Sequence, residues 1–179
     1  MTREAELKLL IKALSFAASK HRNQRRKNVA ASPYINHPIA LINILCNEAH
    51  ITDTNVICAA LLHDTVEDTE TTKEELLVEF GQQICDLVME VTDDKTIEAK
   101  QKRKQLQVEH ASHISNQAKL LKLADKICNL RDLASDPPAK WNLDRQREYF
   151  DWAKQVIDQL RGTHCELEKL FDLAYSKRV

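Results

Sequence analysis

LLHDTVEDTETT, residues 61–72, follows an apolar run and places an imidazole and several carboxylates where a buried helix should end. Leu61 and Leu62 continue the helical apolar spacing of Val56 and Ile57. Charged groups beside buried apolar residues cost free energy unless a partner compensates them. The stretch is therefore either a solvated acidic helix end or a place where a cation binds.

Apolar residues recur at helical spacing on both sides of this segment. The strongest pattern is AKLLKLADKICNLRDL, residues 118–133, which stops before Pro137, and a late pattern runs over residues 149–160. No alternating strand pattern of useful length is present, and the chain has only two glycines. The sequence predicts one all-α domain over residues 1–179, a bundle of roughly eight to ten helices.

Short polar residues and glycine mark the expected helix boundaries. Serine, threonine and aspartate favour the first position because their oxygens accept backbone N–H groups, and a glutamate three residues later completes a capping box. Glycine favours the last position. The residues expected to start or end helices are Thr52 or Asp53, Thr71 or Thr72, Gly81, and Thr163 with Glu166.

Composition narrows the class of protein. The formal net charge is −1, so bulk charge gives no reason to expect a nucleic-acid or membrane partner. No apolar run is long enough to span a bilayer, and the N-terminus has no secretory h-region. The five cysteines include no CxxC pair, which is typical of reduced thiols. We expect a cytoplasmic protein.

Two imidazoles and two carboxylates are candidates for a metal site. His63 and Asp64 are adjacent, His37 stands at a helix start before Pro38, and Asp125 interrupts an apolar helix. Such a mixed nitrogen and oxygen set suits manganese, iron or zinc. Taken singly, each residue also has an ordinary explanation. His37 could cap a helix or pack in the core, and Asp125 could pair with an arginine.

Glu67 and Asp68 follow the His63–Asp64 pair by four residues each. Residues four apart lie on one face of a helix, so His63 is expected to share a face with Glu67, and Asp64 with Asp68. Alone, these two carboxylates read as a solvated face. Beside a bound metal, their charge would be opposed by the cation.

The order of these residues on an all-helical chain resembles the HD-domain superfamily of metal-dependent phosphohydrolases. Longer segments resemble the hydrolase domain of the RelA/SpoT homologues, and the match covers nearly the whole length, as in small alarmone hydrolases of the metazoan SpoT homologue type. The segments that carry this resemblance are HRNQRRK (21–27), PYINHP (33–38), AALLHDTVEDTETT (59–72), EVTDDKT (90–96) and KLADKICNLRDL (122–133).

The resemblance implies a (p)ppGpp 3′-pyrophosphohydrolase that converts ppGpp and water to GDP and pyrophosphate. One divalent metal, usually Mn²⁺, with Zn²⁺ or Fe²⁺ as alternatives, would supply hydroxide near neutral pH by lowering the pKa of a bound water. Glu67 and Asp68 match the catalytic pair that orients and deprotonates this water. The residues whose motif positions match the metal ligands are His37, His63, Asp64 and Asp125.

Substrate-binding residues follow from the same resemblance and from the charge of two basic runs. The resemblance implies that Arg26 and Lys27 lie near the nucleotide. Arginine can stack on a purine and form a bidentate contact with phosphate, which lysine does less well. Lys102 and Arg103 are expected to reach the diphosphate. The positions that match the nucleotide pocket are Tyr34, Asn129 and Tyr149.

Three functions stay open at this point. The first is hydrolysis of ppGpp, and of pppGpp as a variant substrate. The second is the same chemistry on another nucleotide, such as the 2′-phosphate of NADPH. The third is a non-catalytic nucleotide-binding module, which the intact Glu67–Asp68 pair disfavours. In each case the expected partner is a small-molecule nucleotide, and the oligomeric state is not readable from the sequence.

Overall fold

The computed structural model describes residues 1–179. It contains nine α-helices, as the helical spacing of the apolar residues predicts, and no β-strand. A π-helical turn, Ile44–Glu48, directly extends the second helix. The all-α prediction is confirmed, and the number of helices falls within the predicted range. The helices are α1 (Arg3–Lys20), α2 (Asn36–Asn43), α3 (Thr54–Leu62), α4 (Thr65–Asp68), α5 (Lys73–Val91), α6 (Lys100–Ala111), α7 (Asn116–Ser135), α8 (Leu143–Asp158) and α9 (Cys165–Tyr175).

Helices α3 and α7 form the centre of the bundle. Helix α3 contacts α1, α2, α5 and α7, while α7 also contacts α2, α5, α8 and α9. Six of the nine residues of α3 are buried, and the buried apolar side chains form one continuous core. None of the helices is both long and apolar enough to cross a bilayer. This packing brings the end of α3 against the middle of α7.

Two of the predicted helix starts are confirmed by side-chain caps. The Asp53 carboxylate accepts a 2.9 Å hydrogen bond from the backbone N–H of Asn55 at the start of α3. The Thr72 hydroxyl accepts a hydrogen bond of 3.2 Å from the N–H of Glu75 at the start of α5. Both contacts satisfy backbone donors that a helix leaves unpaired in its first turn.

Of two other boundary predictions, one was confirmed and one was wrong. Gly81 interrupts the helix as predicted, since its φ of 79° and ψ of 172° are non-helical and divide α5 into two segments at a kink. Thr163 does not cap α9, because its hydroxyl donates to the carbonyl of Leu160. The imidazole Nδ1 of His164 instead accepts the N–H of Leu167.

The chain turns between α3 and α4, so His63 and Asp64 do not continue one straight helix as the spacing suggested. Helix α3 ends at Leu62, and the one-turn α4 begins at Thr65. The N–H of Asp68 still donates to the carbonyl of Asp64 over 2.8 Å. The turn thus preserves the proximity of the two pairs and directs all four side chains toward one cavity.

Candidate metal centre and active site

Donor atoms from two helices and one turn converge at the centre of the bundle. The Nε2 of His37, near the start of α2, lies 3.3 Å from Asp125 Oδ1 on α7 and 3.8 Å from Asp64 Oδ2. The Nε2 of His63 lies 2.9 Å from Asp64 Oδ2 and 4.0 Å from Asp125 Oδ1. His37, His63 and Asp125 therefore lie close enough together to hold one metal ion, and Asp64 lies beside both imidazoles.

The tautomer of His63 fits a metal ligand. Its Nδ1 lies 2.8 Å from the carbonyl of Ala60, an acceptor only, so Nδ1 carries the proton and Nε2 presents a lone pair. This Nε2 is buried and forms no hydrogen bond, because its 2.9 Å approach to Asp64 does not have hydrogen-bond geometry. A buried lone pair aimed at a carboxylate oxygen is expected where both atoms share a cation.

The other ligands are oriented by neighbours on α7. The Nδ1 of His37 lies 3.4 Å from the Cys128 Sγ, which leaves Nε2 toward the site. Asp125 accepts a 2.6 Å hydrogen bond from the amide of Asn129 and a 3.0 Å ion pair from Lys126. Such outer contacts hold metal ligands in place and are typical of built metal sites.

The electrostatics of the four groups favour positive charge at their centre. Burial opposes ionisation of Asp64, but the imidazoles of His63 and His37 outweigh it and lower its pKa. Burial opposes protonation of His63, but without a metal Asp64 and Asp125 outweigh it and raise its pKa to about 9, so a bound metal would replace a proton on Nε2 and expose the lone pair. The donor set, the lone pair of His63 and this potential fit a divalent cation.

Glu67 and Asp68 lie beside this cluster on α4. Burial raises the pKa of Glu67 to about 7, and the charges of Asp93 and Asp64 add to the effect. The Asp68 carboxylate is held from both sides, by the amide of Gln24 at 2.9 Å and by the ammonium of Lys95 at 2.9 Å. Glu67 is thus poised to exchange a proton near neutral pH, while Asp68 is fixed in orientation.

A cavity of about 320 Å³ contains the cluster and opens to the surface. Its walls include all of the predicted metal ligands, both members of the predicted catalytic pair, and five of the predicted substrate-binding residues. Those five are Arg26, Lys27, Tyr34, Asn129 and Tyr149. The structure therefore brings together eleven of the thirteen residues that the sequence singled out.

Lys102 and Arg103 are the two that the structure places elsewhere. The side chain of Lys102 is exposed on α6 and does not line the cavity. Arg103 lines a neighbouring cavity of about 210 Å³, and its guanidinium donates to the backbone carbonyls of Ile97 and Glu98. The expectation that Lys102 reaches a bound diphosphate finds no support in this arrangement, whereas Arg103 lies at a cavity that adjoins the predicted site.

Aromatic rings border the mouth of the cavity. The phenol of Tyr34 donates a hydrogen bond to Asp64 Oδ2, and the Arg26 guanidinium lies 5.8 Å from the centre of the Tyr34 ring. Arg26 also pairs with Asp132. Burial raises the pKa of Tyr149 to about 12, so its hydroxyl stays protonated at neutral pH.

Four polar residues of the cavity were missed from the sequence. Lys122 and Lys126 flank Asp125 on the most buried helix, and both are more than nine-tenths buried. Their signal in the sequence is weaker than that of Asp125, because a long lysine side chain can extend its ammonium to solvent from a buried backbone. The other two are Asp93 and Gln107, which hydrogen-bond to each other.

Comparison with known proteins places this geometry in a family. The HD domain model matches residues 13–151. The chain is 55% identical to a guanosine-3′,5′-bis(diphosphate) 3′-pyrophosphohydrolase MESH1 of Xenopus tropicalis, over 92% of this chain and 91% of the relative. It is 53% identical to the protein of that name from Homo sapiens, over 97% of each chain.

A solved structure agrees with these relatives. It is described as a metazoan ortholog of SpoT that hydrolyzes ppGpp and plays a role in starvation responses. It superposes with a TM-score of 0.92 at 50% identity and covers 95% of both chains. The chain therefore belongs to the HD-domain family and, within it, to the metazoan SpoT homologues.

Proposed function

We propose that the protein is a metal-dependent (p)ppGpp 3′-pyrophosphohydrolase that converts ppGpp and water to GDP and pyrophosphate. The observation that carries the proposal is the convergence of His37, His63, Asp64 and Asp125 beside the Glu67–Asp68 pair in one cavity. Five relatives that bear the name of this activity, each called MESH1, are 51–55% identical over more than 90% of the chain. A metal, an acid–base pair and basic residues at a single cavity are what phosphoryl hydrolysis requires.

The metal would be held by the two imidazoles and two carboxylates. We assign Mn²⁺, because a mixed nitrogen and oxygen set with open positions suits it, and Zn²⁺ and Fe²⁺ are the alternatives to be tested. When bound, a divalent cation lowers the pKa of water and neutralises phosphate charge. The chain's own contribution is to fix the ligands, through Ala60 for His63 and Asn129 for Asp125.

Glu67 accepts the proton of the attacking water in this reaction. As the water oxygen bonds to the phosphorus, the bond from that phosphorus to the ribose 3′-oxygen breaks, and the 3′-oxygen takes up a proton from solvent, to which the cavity opens. Asp68, held by Gln24 and Lys95, positions the water. A pKa of about 7 lets Glu67 be deprotonated before the step and protonated after it.

Residues at the cavity mouth would bind the nucleotide. Arg26 presents a planar cation beside the Tyr34 ring, a surface on which a purine can stack. Lys27 is exposed at the cavity wall, where its ammonium can meet a phosphate. Asn129 and Tyr149 offer an amide and a neutral phenol for polar contacts to the nucleoside.

The test is hydrolysis by the purified protein of ppGpp, pppGpp and NADPH, each with Mn²⁺, Zn²⁺, Fe²⁺ or a chelator. We expect GDP and pyrophosphate from ppGpp, fastest with Mn²⁺ and absent with chelator. Phosphate released from NADPH alone would retain the chemistry and change the substrate. Metal binding without turnover of any nucleotide would support a binding module and contradict the proposal.

A further inference from the structure

Lys122 is a buried cation in the wall of the active-site cavity that the chemistry above does not use. It lies on α7, one helical turn before the ligand Asp125, and only 9% of it is exposed. Its ammonium has a single weak protein contact, 3.4 Å to the carbonyl of Val91. Its side chain lines both the active-site cavity and the adjoining smaller cavity.

Apart from Lys27, which is exposed to solvent, the other lysines and arginines of the cavity, and Lys95 beside it, pair with carboxylates. Lys126 pairs with Asp125 at 3.0 Å and lies 4.5 Å from the centre of the Trp152 ring. Arg26 pairs with Asp132, and Lys95 with Asp68. Lys122 is the one buried basic residue of this cavity that pairs with no carboxylate.

A buried ammonium without an anionic partner destabilises the folded state. Burial and the nearby charge of Lys126 lower the pKa of Lys122, and the more distant carboxylates of Asp93, Asp125 and Glu67 only partly oppose this. An anion that entered the cavity would supply the missing partner. Phosphate oxygens accept charge-assisted hydrogen bonds from lysine and suit a compact ammonium.

We propose that Lys122 binds the 3′-diphosphate of the substrate and anchors the departing pyrophosphate. This inference rests on the proposed function. Position selects the 3′-diphosphate over other phosphates, since one helical turn separates Lys122 from the ligand Asp125, and the attacked phosphorus must lie beside the ligands. The adjoining cavity beyond Lys122 gives space for the distal phosphate.

The test compares Lys122→Met with Lys119→Met, a control one turn earlier on the same helix and outside both cavities. Calorimetry on the Mn²⁺-loaded proteins would measure the affinity for pyrophosphate, with excess Mn²⁺, and for GDP, which lacks a 3′-phosphate. We expect Lys122→Met to bind pyrophosphate at least about tenfold more weakly, with GDP affinity unchanged. We also expect its Tm to rise by about 3 °C, because a buried charge is removed.

Equal pyrophosphate affinity in Lys122→Met and the wild type would overturn the proposal, and so would an equal loss for pyrophosphate and GDP. If Lys122→Met is not obtained folded, Lys122→Gln carries the same measurement, since it also removes the charge. Hydrolysis of ppGpp by the wild type, measured in parallel, distinguishes a failure of the proposed function from a failure of the role proposed for Lys122. Its absence would refute the proposed function, whereas normal hydrolysis with unchanged pyrophosphate affinity in the variant would refute only the role of Lys122.

Discussion

The phenol of Tyr34 donates a hydrogen bond to Oδ2 of Asp64, the oxygen that also faces both imidazoles of the metal centre. Tyr34 precedes α2, and Asp64 lies in the turn after α3, so this bond connects the loop at the cavity mouth to the ligand cluster. Burial, together with the charge of Asp64, raises the pKa of Tyr34, so the hydroxyl remains a donor across the physiological range. Tyr34 therefore orients a ligand as well as bordering the nucleotide site.

We predict that Tyr34→Phe weakens metal binding by about tenfold, because the substitution removes a hydrogen bond that fixes a ligand oxygen. Competition with a fluorescent chelator would measure the dissociation constant for Mn²⁺. Tyr175→Phe is the matched control, since its hydroxyl donates to Asp151 at 3.2 Å, on the α8–α9 side of the molecule. Identical metal affinity in Tyr34→Phe and Tyr175→Phe would show that the phenol does not support the ligand.

Glu67→Gln should lower kcat by about 100-fold or more while the protein still binds Mn²⁺. The amide keeps the shape of the side chain and its contact with the Asp93 N–H but cannot accept a proton from water. Glu70→Gln, a nearby exposed glutamate, should retain normal turnover. The measurement is pyrophosphate release from ppGpp alongside metal content. Normal turnover of Glu67→Gln would remove Glu67 from the role of base.

The raised pKa of Glu67 predicts that the free energy of unfolding depends on pH in protein from which a chelator has removed the metal. The unfolded chain releases this proton near the ordinary value of 4.5, and the folded chain near 7. Between these values the folded state holds a proton that the unfolded state lacks, so stability is present at low pH and is lost as pH rises through about 7. Relative to Glu67→Gln, the wild type should lose about 2 kcal/mol of unfolding free energy between pH 5 and 8.5.

Urea denaturation of both proteins at the two pH values measures this difference, because the contributions of all other titrating groups are shared. Glu70→Gln serves again as the control and should follow the wild type. A constant difference in unfolding free energy between the wild type and Glu67→Gln at both pH values would mean that Glu67 titrates alike in the folded and unfolded chains.

The sequence predicted the fold well where a local pattern determines structure. Apolar spacing locates the central helices α3 and α7. Asp53 caps α3 because its carboxylate accepts the N–H of Asn55, only two residues along the chain. Prediction failed where two local options compete. Thr163 had the spacing of a cap, but its hydroxyl was taken by Leu160, and His164 replaced it.

Members of the candidate site could be predicted where their residue type is unusual for its surroundings in the sequence. Asp125 was noticed as a carboxylate in an apolar helix, yet Lys122 on the same helix was not, since a lysine can extend its ammonium to solvent from a buried backbone. Whether it does so depends on the packing of α5 against α7. The contact of Cys128 with His37 joins residues 91 positions apart and has no signal in either segment.

Gly81 is a position where the backbone itself demands glycine, although no side chain crowds it. Its φ of 79° with ψ of 172° lies in a region that other residues rarely adopt, and a Cβ built there would meet nothing within 4 Å.

Gly81→Ala should therefore destabilise the protein by about 1–3 kcal/mol through strain alone. Urea denaturation measures this cost, and Val78→Ala, at an exposed position on the same helix, should change stability by less than about 0.5 kcal/mol. Because Gly81 does not line the cavity that holds the predicted ligands, Mn²⁺ affinity should be unchanged in Gly81→Ala at temperatures where it is folded. Wild-type stability in Gly81→Ala would mean that α5 can run straight through residue 81.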